Sequence, residues 1–187
     1  MLFAAKKDKV LILRSIFPPS SKTKERPINI RKGDSVHHPQ HGIGKIECIS
    51  ERSFGGRASA SYAELFFKRH NLTLTILEKD LDSTVRALIS NKEAKRLLDE
   101  MKQWDGRVSK QWKARANAHQ AAIDRGDPFE YAKVYKGLSK LETQEGLRAQ
   151  DKAHLAQSLD LLTEELACSL RKTPEQTRRM LAKIGAA

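Results

Sequence analysis

Lys32-Gly33-Asp34-Ser35-Val36-His37-His38-Pro39-Gln40-His41-Gly42-Ile43-Gly44-Lys45-Ile46 is the stretch on which the fold turns. Gly33-Asp34 reads as a turn into a short strand, Ser35 to His38, and Pro39, which has no backbone donor, ends it. Gly42 and Gly44 lack a Cβ and let the chain turn sharply into the next strand. Working outward, Ile43 to Ile49 alternates with period two, and Gly55-Gly56 reads as a hairpin turn. Tyr62 to Phe67 is a second long strand, His70-Asn71 another turn, and Leu72 to Ile76 alternates again. Short strands at such close spacing predict a small, strongly bent antiparallel β-barrel over residues 31–89.

The pattern switches near residue 90 from period two to helical periodicity. Asn91 can cap a helix whose buried face carries Ala94, Leu97, Leu98 and Met101, stopped by Asp105-Gly106. Ser109 can cap a second, through Trp112, Ala116 and Ile123 to Gly126. Asp127-Pro128 restarts the chain, with proline at the first helical position, and Phe129, Ala132, Tyr135 and Leu138 form the stripe of a third helix. Leu155, Leu159, Leu162 and Leu166 mark a fourth, and Thr173-Pro174-Glu175 starts a short, basic fifth. The fold class is therefore α+β: a β module over 31–89 followed by a compact all-α domain over 90–187. Residues 1–30 read as a basic extension without a core of its own, either a solvated tail or an additional phosphate-contacting arm.

The chain has 187 residues and a net charge of +12. Such a surplus of Lys and Arg favours negatively charged partners. No apolar run approaches the ~18 residues of a membrane span. The patch Val10-Leu11-Ile12-Leu13 is cut short by Arg14, below the roughly 7–15 residues of a secretion signal, so a cytoplasmic protein is expected. Cys48 and Cys168 match no metal or disulfide framework and read as small core residues in a reducing compartment. His37, His38 and His41 lie close together, but adjacent strand residues point to opposite faces and no Cys or acidic partner follows at ligand spacing, so loop or interface histidines are expected and no metal. There is no phosphate-binding loop, zinc-protease motif or nucleophile elbow.

Chemistry of another kind is concentrated around Trp112. Residues 107–125 hold Arg107, Lys110, Lys113, Arg115 and Arg125 against one acid, Asp124. The run 32–46, with its Pro-x-His-Gly-x-Gly, resembles the opening of the CarD family of bacterial transcription regulators, a module shared with the polymerase-binding domain of transcription-repair coupling factors. The helical half is similar too. Trp112-Lys113-Ala114-Arg115 is followed by Ile123-Asp124-Arg125-Gly126-Asp127 and then Ala132-Lys133-Val134-Tyr135-Lys136-Gly137-Leu138. Leu147-Arg148-Ala149-Gln150-Asp151-Lys152 resembles the family's Leu-Ser-x-x-Glu-Lys, and Leu161 to Ala167 its last long helix. The chain departs from the pattern at His37-His38, where the family has hydrophobics or Tyr. It departs again at Thr75-Ile76-Leu77, where the family has Val-Pro.

The resemblance implies a non-enzymatic regulator without cofactor. A Tudor-like barrel would bind the β subunit of RNA polymerase, with Arg52, Thr75 and Ile76 in the contact. The helical domain would touch promoter DNA at the upstream edge of the melted bubble, with Trp112 wedged into the minor groove and Lys113, Arg115, Arg107 and Lys110 on phosphates. It would act as a monomer, off the membrane, joined to the nucleoid through polymerase. Other readings stay open. Arg52 can be an exposed strand-end charge and Trp112 a core anchor, although Trp104, at the end of an apolar stripe, is the better core candidate. The chain can also be a nucleic-acid-binding protein independent of polymerase, a coupling-factor fragment without its ATPase motifs, or an enzyme whose site carries no motif.

Overall fold

The computed structural model describes residues 11–12, 31–53 and 58–186. The chain divides into two compact units after Ala87. In the first, the strands are β1 (Leu11–Ile12), β2 (Ser35–His38), β3 (Gly42–Arg52), β4 (Ala60–Phe67), β5 (Leu72–Leu77) and β6 (Arg86–Ala87), with a one-turn helix α1 (Leu81–Thr84). They form one sheet in the order β1-β5-β4-β3-β2-β6. The pairings from β6 through to β5 are antiparallel, and β1 adds in parallel, with Leu11 opposite Leu74 and Ile12 opposite Thr75.

Its core is Val36, Ile46, Ala63, Leu65, Phe67, Leu74, Ile76, Leu81 and Val85. The glycines of the Pro-x-His-Gly-x-Gly run have separate physical causes. Gly42 has a φ of +74°, which a Cβ would strain. Gly44 lies under the Phe67 ring, where a Cβ would fall 2.6 Å from a ring carbon. Asn71 closes the β4–β5 turn in the left-handed region.

Three expectations are corrected in this unit. The outermost strands, β1 and β6, do not pair with each other among the described residues, so the sheet is open and not a closed barrel. His37 and His38 lie on the expected strand Ser35–His38 and are buried there between β3 and β6, which corrects the expectation that they are loop histidines. Cys48 is only half buried, and Cys168, in the second unit, is exposed. The Gly55-Gly56 turn and most of the 1–30 extension lie outside the described residues.

The second unit holds α2 (Asn91–Gln103), α3 (Trp112–Asp124), α4 (Pro128–Gln144), α5 (Ala149–Leu170) and α6 (Pro174–Ala186). Ser90, not Asn91, caps α2, in a reciprocal capping box with Glu93. Asp127 caps α4 and Pro128 opens it. Gln111 precedes α3 without a side-chain cap, so Ser109 lies outside that helix. Leu97, Ile123, Tyr131, Leu138, Leu162, Leu166 and Leu181 are the centre of the core. The chain's entry into this unit is fixed at Ile89. Its N–H donates to Glu165 Oε1 (3.1 Å) and its carbonyl accepts from Ser169 Oγ (2.7 Å), while Glu165 also accepts from the Tyr131 hydroxyl.

Candidate nucleic-acid interface

The candidate surface forms where the loop 104–111 enters α3. Trp104 ends α2 and folds back onto Gly106, where a Cβ would fall 2.3 Å from the indole, and against Gly137 of α4. Trp104 is half buried. Trp112, the first residue of α3, is 39% exposed, the exposed large hydrophobic side chain among the described residues. Lys113 Nζ lies 5.6 Å and Arg148 Cζ 5.1 Å from the Trp112 ring. Each such contact contributes about 0.5–1 kcal/mol at an exposed site. Arg107 and Lys110 are exposed on the preceding loop.

Arg115 is elsewhere. It is 6% exposed and faces inward. Its Nε and Nη2 donate to the two carboxylate oxygens of Asp151 at 3.1 and 2.6 Å, and Nη1 donates to the Ser109 carbonyl at 2.6 Å. The guanidinium holds the Asp151 carboxyl below its usual range, and the carboxylate raises Arg115 in turn. The expected phosphate contact at Arg115 is thus corrected: each of the three guanidinium nitrogens donates inward and ties α3 and its entry loop to the first turn of α5. Asp151, 36 positions away, carried no sign of this partnership beyond its place at a helix start.

Arg148 is the N-cap residue of α5 and supplies no side-chain cap. Beneath this surface His119 and His154 meet edge to face, ring centroids 6.2 Å apart, with His154 Nε2 3.1 Å from Gln120 Oε1. Burial pushes the His119 imidazole down to about 4, helped by His154, and lowers His154 as well.

On the sheet, Arg52 Nη2 is 2.6 Å from Glu64 Oε1 and its Nε donates to Ser50 Oγ (3.1 Å). Cys48 Sγ donates to Glu64 Oε2 (3.1 Å), a bond that pushes the thiol's pKa up. Arg52 therefore remains at the surface but half-neutralised. Thr75 and Ile76 differ from expectation. Both are 5% exposed, and β5 is not a free edge, because β1 pairs with it at Leu74 and Thr75. The side chains of Arg52, Thr75 and Ile76 therefore do not make one exposed surface.

Among the described residues no group of three or more His, Cys, Asp or Glu side chains is arranged to hold a metal, and no helix is long and apolar enough to cross a membrane. His38, His41 and His70 instead pack ring to ring beside Phe67, with centroids 4.7 Å apart for the first pair and 5.7 Å for the second. Burial takes His38 down to about 4.

A protein of Bacillus subtilis (strain 168) named "Putative transcription factor YdeB" is 27% identical over 135 residues, covering 72% of this chain and 88% of that protein. The family model described as CarD, C-terminal domain, matches residues 85–182, which take in all of α2–α5, the loop before Trp112, the Arg115–Asp151 pair and most of α6. The match spans just over half of the chain, and the protein belongs to the CarD family through this C-terminal domain.

Proposed function

We propose that the protein is a transcription regulator that acts at initiation. Its sheet unit binds the RNA polymerase β subunit, and its helical unit binds promoter DNA at the upstream edge of the bubble and stabilises the open complex. Family membership and the relative's name support a regulator of transcription over an enzyme. The observation that carries the DNA half is the exposed Trp112 with Lys113 and Arg148 against its ring and Arg107 and Lys110 on the adjoining loop. An apolar wedge enters a base step that is already unstacked, and cations beside it neutralise phosphates without reading sequence. Binding the melted state better than the closed one shifts the equilibrium by the difference in affinity, tenfold for each ~1.4 kcal/mol. Of the three expected contact residues on the sheet, Arg52, Thr75 and Ile76, Arg52 is the one at the surface and the one that meets polymerase in this reading.

The test is open-complex lifetime and footprint on a promoter with bacterial RNA polymerase holoenzyme. Wild type lengthens the lifetime and protects the upstream edge only when polymerase is present. Trp112→Ala keeps polymerase binding and loses the effect on lifetime, and Arg52→Ala weakens polymerase binding with the fold intact. An equal footprint without polymerase would instead establish a nucleic-acid-binding protein independent of it.

A further inference from the structure

Two helices of the helical unit start without a side-chain cap, α3 at Gln111 and α5 at Arg148, and only the second puts a cation there. Helix N-termini need an acceptor for their free N–H groups. Ser90 supplies one to Glu93 N at the start of α2, Asp127 to Phe129 N at α4, and Thr173 to Gln176 N at α6. The 22-residue α5 has Arg148 there, a side chain that can only donate, with its cation at the positive end of the helix dipole. Asp151, the acid of the same first turn, is paired with Arg115, which donates to both its oxygens, and makes no hydrogen bond to Arg148. The guanidinium lies instead over the Trp112 ring. Local rules broken without a local gain concentrate at functional sites.

We propose that Arg148 is a second contact of the DNA-binding surface, resting on the reading of Trp112 as a DNA wedge. One face of its guanidinium stays on the indole and holds it in its outward orientation. Its edge donors pair with a backbone phosphate beside the base step that the indole enters. The planar fork allows both at once, since donors lie in the plane and the face is left to the aromatic ring; a lysine ammonium supplies the charge without the plane.

The experiment titrates the full chain by anisotropy, at several low salt concentrations, into a preformed complex of RNA polymerase holoenzyme with a fluorescently labelled promoter duplex carrying a short mismatched bubble. Acrylamide quenching of tryptophan emission and a thermal melt are recorded in parallel on the chain alone. Arg148→Ser, which restores an N-cap acceptor, melts no lower than wild type. It binds the complex several-fold more weakly, shows a log–log salt slope shallower by roughly 0.9, and exposes tryptophan to quencher. Arg148→Lys recovers the salt slope but not the protection from quencher. Wild-type affinity and slope in Arg148→Ser, alongside loss of binding in Trp112→Ala, would overturn this inference and leave the function standing. Weaker binding accompanied by a lower melting temperature would reduce Arg148 to a structural residue and overturn it too. Full recovery of quencher protection by Arg148→Lys would refute the stacking. A wild type that does not join the complex of polymerase and bubble duplex, or a Trp112→Ala that joins it equally well, would fail the functional reading itself.

Discussion

Arg115→Met removes the cation and leaves Asp151 in place. The Arg115 and Asp151 side chains are 7% and 3% exposed, and the guanidinium makes two bonds to the carboxylate and one to the Ser109 carbonyl. Stranding a buried carboxylate in this way costs about 3–5 kcal/mol, and the Ser109 carbonyl loses its charged donor as well. Against a total of ~5–15 kcal/mol that is a large fraction of stability. At roughly 4–8 °C per kcal/mol for a unit of this size, the helical unit melts at least ~12 °C lower. The double variant Arg115→Met, Asp151→Leu removes both charges and recovers most of the loss, since the pair's own cost of desolvation goes with it. Circular dichroism melts of wild type, both single variants and the double variant make the cycle. An Arg115→Met protein within ~0.5 kcal/mol of wild type, the range of ordinary surface substitutions, would refute the burial and return Arg115 to the solvent face.

The two tryptophans separate in the same assay. Trp112→Ala loses its two cation contacts and costs about 1–2 kcal/mol, whereas Trp104→Ala, which empties the space over Gly106 and Gly137, costs about 3–5 kcal/mol; the reverse order would exchange their roles. Acid acts through His119. Its folded pKa of about 4 lies below the ordinary 6.5, so between those values the unfolded chain binds more protons and stability rises with pH. Urea midpoints of the helical signal therefore fall as pH drops from 6.5 towards 4, and His119→Gln makes that fall shallower; an unchanged slope would remove His119 from the cause.

The helical half was legible where the signals are local. Ala94, Leu97, Leu98 and Met101 fall at helical spacing and all are buried in α2, and Asp127-Pro128 starts α4 by capping chemistry that needs only adjacent residues. The misplaced starts follow the same logic. Asn91 and Ser109 are good caps by type, but Ser90 has a reciprocal partner in Glu93, and Ser109 lends its carbonyl to Arg115 instead. Arg115 could not be separated from Lys113 by reading Trp112-Lys113-Ala114-Arg115, because Asp151 is far away in sequence and the choice between surface and core is made there. β3 and β5 were readable from alternation, and β2 and β4 as strand runs beside turn signals. Openness of the sheet, and the cover of β5 by β1, depend on pairings between distant segments that no local pattern encodes. Arg148 went unnoticed for a related reason: its departure from capping chemistry has meaning only once Trp112 is seen beside it.

Helix α5 holds the entering chain at one end and the tryptophan at the other. Glu165 and Ser169 grip Ile89, and Arg148 and Asp151 govern the start of α3. Its 22 residues span ~33 Å as a straight helix. The helix is thus a spacer whose setting is a residue count. Most substitutions on its exposed face leave that setting alone. A single inserted residue between Asp151 and Glu165 would lengthen it by ~1.5 Å and rotate one grip against the other by about 100°, so that the two ends could no longer both engage.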